Sequence, residues 1–272
     1  MKHFILSLSL FIISVCVYAQ KAEDVFAEGM AKMQEKAYKE AIDKFDLAIL
    51  IKPDYTEAYM QRGLARKALL QFNLAINDFS KVLEATPQSL EANYEKAYAL
   101  SQFGKEDEAI PFLEKVIELD AKKLEAYIEL GNIYRKKGKS KEAIEQYEKA
   151  IKVDPNYEQA YLRLAIYHFN IEQHQKALQE VNHVITKINP KSAEAYALKG
   201  EIELGRKQYA LALKDLDKAI ELDPKVGSPY TYRGLALLRT GKKKEACESW
   251  QKAHELGDFE CEEYLEKYCA KK

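Results

Sequence analysis

Apolar residues recur along this chain at spacings of three and four, in stretches of about 14 residues split by short polar breaks. That is the pattern of amphipathic helices with one buried face. The stretches come in pairs, and the pairs repeat. Similar units begin at Ala22, Thr56, Leu90, Leu124, Glu158, Ala193 and Gly227, a step of 34 residues five times and 35 once. Position 8 of each unit is small: Gly29, Gly63, Ala97, Gly131, Ala165, Gly200 and Gly234. Position 20 is always alanine, from Ala41 to Ala246, and position 24 is large: Phe45, Phe79, Leu113, Tyr147, Val181, Leu216 and Trp250. Position 32 is proline in four units (Pro53, Pro87, Pro155, Pro224), while Pro190 comes one place late, matching the single extra residue.

Each element of this pattern has a mechanical meaning. Gly104, Gly138 or Gly241 near position 15 breaks a unit into two helices, and proline at position 32 ends the second one. Small residues at positions 8 and 20 let the two helices approach, and the large residue at position 24 fills the space between them. One such hairpin cannot bury its apolar face alone, so the units must stack. The predicted fold class is all-α, an α-solenoid of seven helix-turn-helix units.

The pattern resembles the tetratricopeptide repeat, whose motif is reproduced in one unit by Tyr127, Leu130, Gly131, Tyr134, Ala143, Tyr147, Ala150 and Pro155. The resemblance implies a right-handed superhelix over residues 22–260, with units at 22–55, 56–89, 90–123, 124–157, 158–192, 193–226 and 227–260. Asn93 at position 4 and Ala121 at position 32 depart from the motif, so altered joints are expected around the third and fifth units.

The two ends read differently. Phe4 to Tyr18 is the one long apolar run, preceded by Lys2 and followed by the small residues of a cleavage site ending at Ala19. It is shorter than the ~20 residues of a spanning helix and fits a secretory signal over residues 1–19. The chain is therefore expected outside the cytoplasm, periplasmic or secreted. Membrane association would come only through a partner, or through an uncleaved or Cys16-lipidated N-terminus. At the other end, residues 261–272 read as a capping helix bearing Tyr264, Leu265 and Tyr268. With a turn at Gly257-Asp258, Cys247 and Cys269 are equidistant from it, whereas Cys247 and Cys261 would be offset by about 12 Å along the helices. A Cys247–Cys269 disulfide with Cys261 unpaired is the expectation, against the alternative of three reduced core cysteines. The ending also resembles that of many exported bacterial tetratricopeptide proteins.

Composition narrows the chemistry. Ala, Glu, Lys, Leu and Arg supply 136 of 272 residues, and the formal charge is only −1. Such a balance offers no general attraction to nucleic acid or to anionic membrane. The cations at Arg135, Lys136, Lys137, Lys139 and Lys141, and at Lys242 to Lys244, fall in inter-helix turns among acidic neighbours and read as solvated turns. His168, His174, His183 and His254 show no metal-ligand spacing, and no Cys-x-x-Cys or phosphate loop occurs. No enzyme, metal or cofactor is expected.

What remains is a wall. In the family that this sequence resembles, positions 2, 5, 9, 12 and 13 of each first helix commonly line the inner groove. Here the candidates are Met30, Met33, Met60, Leu64, Tyr94, Tyr98, Ile128, Asn132, Arg135, Leu162, Ile166, Phe169, Leu235 and Leu238. Position 5 is never lysine, which argues against the carboxylate clamp of some relatives. Flexible methionines and rigid tyrosines suit an apolar helix or extended peptide of another protein. The expected role is a non-catalytic interaction scaffold. The alternative is a structural part of a cell-envelope assembly, bound through its convex face or terminal helix.

Overall fold

The structure, a computed structural model, describes residues 20–270, and all regular elements among them are helical. The expected signal lies outside the described residues. Helix α1 is described over 20–34. It is followed by α2 (Tyr38–Ile51), α3 (Thr56–Ala68), α4 (Phe72–Ala85), α5 (Leu90–Gln102), α6 (Glu106–Leu119), α7 (Leu124–Lys136) and α8 (Ser140–Val153). Then come α9 (Glu158–Asn170), α10 (His174–His183), α11 (Ala193–Gly205), α12 (Tyr209–Leu222), α13 (Ser228–Arg239) and α14 (Lys243–Glu255). The chain divides into two compact units, Met1–Ala143 and Ile144–Lys272. In the first, successive helices from α2 to α7 pack on one another, and in the second α9 to α14 do the same.

Steric fit inside the hairpins explains the alternation of small and large residues. A Cβ built on Gly29 would lie 2.6 Å from the Phe45 ring, and one on Gly63 would lie 2.6 Å from Phe79. Gly200 meets Leu216 at the same distance, and Gly234 faces the Trp250 indole. Where position 8 is alanine, the partner at position 24 is aliphatic and not an aromatic ring: Ala97 goes with Leu113 and Ala165 with Val181. The alanines of position 20 are fully buried beside these contacts. Such close approach gives crystal-like packing with little room for adjustment.

Position 15 is left-handed in all seven units. Gly104, Gly138 and Gly241 have φ of 80°, 71° and 83°. The other four units place Lys36, Leu70, Glu172 and Lys207 there, at φ between 59° and 61°. An L-residue pays for that conformation by about 1–2 kcal/mol, so these four turns are held by the packing of the helices they join.

The extra residue of the fifth unit is absorbed in a single place. After α10 the chain widens into a π-turn, Val184–Ile188, where the Asn189 N–H donates to the Val184 carbonyl at 2.8 Å. Insertions of one residue into a helix are commonly accommodated this way.

The C-terminal segment departs from the expected capping helix over 261–272. It starts with a 3₁₀ turn at Phe259–Cys261, continues through Glu262–Tyr264 and ends in a π-turn at Leu265–Cys269. Asp258 starts it by accepting from the Glu260 N–H at 3.1 Å and the Thr231 hydroxyl at 2.8 Å. Cys247 and Cys269 are disulfide-bonded with Cα atoms 5.6 Å apart, and Cys261 is buried and free. Its thiol reaches the Trp250 carbonyl at 3.2 Å. Tyr264 and Tyr268 stack on Trp250 with centroids at 5.3 and 5.9 Å, so bridge and rings together hold the segment down.

Candidate interaction surface

The expected wall residues separate into core and surface. Met60, Ile128 and Leu162, all at position 5, are buried. Met60 packs with Phe79, Ala92 and Ala99, and Leu162 with Leu178, Val181 and Leu198. These three face the neighbouring hairpin, leave the wall and join the core, whereas Tyr94, also at position 5, stays half-buried. Met30, Met33, Leu64, Tyr94, Tyr98, Asn132, Ile166, Phe169, Leu235 and Leu238 are half-buried, and Arg135 is exposed.

In the first unit the tyrosines of this face are partly covered by cations. The Lys67 ammonium lies 5.4 Å from the Tyr98 ring centre and Lys123 lies 5.0 Å from that of Tyr94. Lys67 also pairs with Glu95. The basic turn behaves as a solvated one: Lys136 pairs with Glu106 at 3.8 Å, and Lys137 pairs with Asp107, holding that exposed carboxyl below its usual range.

In the second unit the first helices α9, α11 and α13 bring wall residues together around two cavities. One, of about 240 Å³, is lined by Ile166, Phe169, Ala197, Leu198, Glu201 and Tyr232, among others. Burial raises the Glu201 carboxyl, against the hydrogen bond donated by the Tyr232 hydroxyl. Burial and that same carboxylate raise the Tyr232 phenol. Asn170, Glu194 and Ser228 add polar groups to the lining, so the pocket is suited to an apolar side chain carried on a hydrogen-bonding backbone. The other cavity, of about 540 Å³, lies beside Leu235 and Leu238, with Leu204, Lys207, Tyr209, Arg239, Tyr264 and Tyr268 around it.

Glu201 and Tyr232 were not anticipated. Glu201 stands at position 9, a wall position, but the sixth unit has Ala197 and Glu201 where most other units carry large apolar residues, so no apolar signal marks it. The histidines serve packing and pairing: His168 meets Glu180 at 2.9 Å, His183 stacks on Tyr161 and His174 lies against Phe169. Among the described residues no group of three or more His, Cys, Asp or Glu could hold a metal ion, and no helix is long and apolar enough to cross a membrane.

Family profiles described as tetratricopeptide repeat match residues 90–123 and 193–226, and one described as TPR repeat matches 131–171. Over these spans the chain contains tetratricopeptide repeats (TPRs). Two of the matched spans coincide with units counted from the sequence. A crystal structure of a TPR protein from Parabacteroides merdae is similar over 92% of this chain and 98% of that one, at 17% identity and a TM-score of 0.77. Yeast Tom70 is similar over 86% of this chain and 53% of its own, at 18% identity and TM-score 0.69. The C-terminal part of a TPR-containing protein from Cytophaga hutchinsonii is similar over 86% and 96%, at 19% identity and TM-score 0.60. These likenesses show the fold, an α-solenoid of about seven TPR units. No curated protein matches the sequence. The TPR fold supports a role as a protein–protein interaction scaffold.

Proposed function

We propose that this TPR protein is an exported scaffold that docks an apolar helix or extended segment of another protein on its first-helix face, without catalysis. The observation that carries the reading is the cavity of about 240 Å³ gathering Ile166, Phe169, Glu201 and Tyr232 on α9, α11 and α13. Rigid hairpins support it further, because a pre-formed wall loses little entropy on binding. Export is supported by the signal-like first 19 residues and by a disulfide, which persists in oxidising compartments.

The test is a double substitution, Tyr98→Asp with Ile166→Asp, placing charge on the half-buried face of each unit. Partner capture from cells by crosslinking and mass spectrometry is expected to fall at least tenfold, with circular dichroism unchanged. Undiminished capture would refute docking on this face. It would favour an assembly role through the opposite face or the C-terminal segment.

A further inference from the structure

The cavity of about 540 Å³ near the C-terminus has a composition unlike the rest of the wall. Leu235 and Leu238 of α13 give it apolar sides, Tyr264 and Tyr268 supply aromatic ones, and Lys207 and Arg239 are the cations among its lining residues. No acidic side chain is among the residues that line it. Both cations are exposed, and neither forms an ion pair with a described residue. Several other turn lysines are matched by acids, as Lys137 is by Asp107 and Lys242 by Glu245 at 3.7 Å, while Lys36, also unpaired, has no such cavity beside it among the cavities described. Lys207 also occupies its turn at φ 60°, where glycine fits better and is present in three other units. A strained, unpaired cation beside an apolar cavity contributes nothing evident to folding.

The tyrosine side depends on the bridge. The chain beyond Asp258 is one short run, Phe259–Cys269, that changes from 3₁₀ through α to π turns and is too short to hold helical form unaided. Tyr264 and Tyr268 stay in place because they stack on Trp250 and because Cys269 is tied to Cys247 of α14.

We propose that this cavity seats an acidic segment of the partner, an apolar side chain flanked by aspartates or glutamates, and that the Cys247–Cys269 disulfide is required to build the seat. The inference rests on the docking function proposed above and names the partner chemistry at one end of that face. Apolar surface supplies the anchor, and the two unpaired cations supply the charge complementarity that selects acidic flanks.

The probe is a fluorescein-labelled, C-terminally amidated peptide, Glu-Glu-Leu-Phe-Glu-Glu, compared with its Lys-for-Glu counterpart by fluorescence polarisation on the full oxidised chain. The acidic probe is expected to bind about tenfold or more tightly than the basic one, and to weaken as salt rises. Lys207→Gly is expected to weaken it about threefold while keeping or raising the thermal midpoint, so that misfolding cannot account for the loss. Arg239→Gln should weaken it similarly. Cys247→Ser with Cys269→Ser should abolish most binding while far-ultraviolet dichroism stays near native. Equal binding of the two probes, no binding of either, or indifference to Lys207→Gly, Arg239→Gln and loss of the bridge would overturn the proposal. If Tyr98→Asp with Ile166→Asp abolishes partner capture while these variants leave the acidic probe unchanged, the docking function stands and this seat alone fails.

Discussion

The hairpins α3/α4 and α11/α12 put charged residues in the same three places, positions 7, 11 and 23 of their units, and differ in sign at position 11 alone. In α3/α4 they are Arg62, Arg66 and Asp78. The Asp78 carboxylate is buried and accepts from Arg62 at 2.6 Å and Arg66 at 2.8 Å, while Arg62 also reaches Asp46 of the preceding hairpin at 2.5 Å. In α11/α12 they are Lys199, Glu203 and Asp215. Lys199 pairs with Asp215 at 3.0 Å, and Glu203 is buried beside them with its Oε2 atom unpartnered. Burial first, and then the Asp215 charge, push the Glu203 carboxyl up to about 7. The same slot is thus an ion-paired clasp in one hairpin and a proton-holding acid pair in the other. Buried charge is tolerated when its partners are present, and where they are not a proton takes their place.

The comparison can be broken most severely at Asp78. Asp78→Ala leaves two guanidinium groups facing each other in a poorly hydrated slot and is expected to cost about 3–5 kcal/mol in urea unfolding. Asp215→Asn in the other hairpin removes a charge that repels Glu203 and is expected to cost far less. Equal losses at the two sites would show that the slots are equivalent.

A smaller and sharper effect is the pH dependence of the acid pair. Glu203 holds its proton to about pH 7 in the folded chain but loses it near the ordinary carboxyl value of 4.5 when unfolded. The folded state therefore binds more protons between those values, and this contribution is complete below about pH 4.5. It is lost as pH rises through 7, up to about 3 kcal/mol in all. Glu203→Gln should flatten that part of the stability–pH curve relative to the parent. Asp215→Asn should move the remaining titration downward. An unchanged curve in Glu203→Gln would mean that Glu203 does not carry the proton.

The smallest effect concerns the turns, which both hairpins make on a left-handed non-glycine residue, Leu70 at φ 59° and Lys207 at φ 60°. Leu70 is also largely exposed, at 74%. Leu70→Gly is expected to stabilise by up to about 1 kcal/mol, the relief of strain exceeding the added freedom of the unfolded chain. A loss of stability would show that the exposed leucine makes contacts that matter to the fold.

These hairpins also show what can be read from sequence. Gly63 against Phe79 and Gly200 against Leu216 were legible because a close helix crossing admits one solution, small opposite large, and so recurs in register. The bridge from Cys247 to Cys269 was legible because antiparallel helices bring residues equidistant from a turn together. The polar slot was hidden because its chemistry changes sign from unit to unit: Glu28 faces Lys44 in the first hairpin, and Lys96 lies over Phe112 in the third. A balanced set of charges can be met in several ways, so no single residue repeats. Left-handed turns at Lys36, Leu70, Glu172 and Lys207 were equally hidden, since only glycine announces that conformation. Among wall residues, Met60, Ile128 and Leu162 look like surface candidates by position alone, and only the packing of the neighbouring hairpin shows that they are core.

The docking of a partner on the first-helix face is tested most directly by a photo-crosslinking residue placed singly in the full chain. The inner positions are Ile166 and Leu238, half-buried on α9 and α13, and the outer controls are Leu47 and Leu211, exposed at 41% and 48% on α2 and α12. Irradiation in cells should yield one discrete partner adduct from 166 and 238 and none from 47 and 211. Adducts from the outer positions alone would contradict the account.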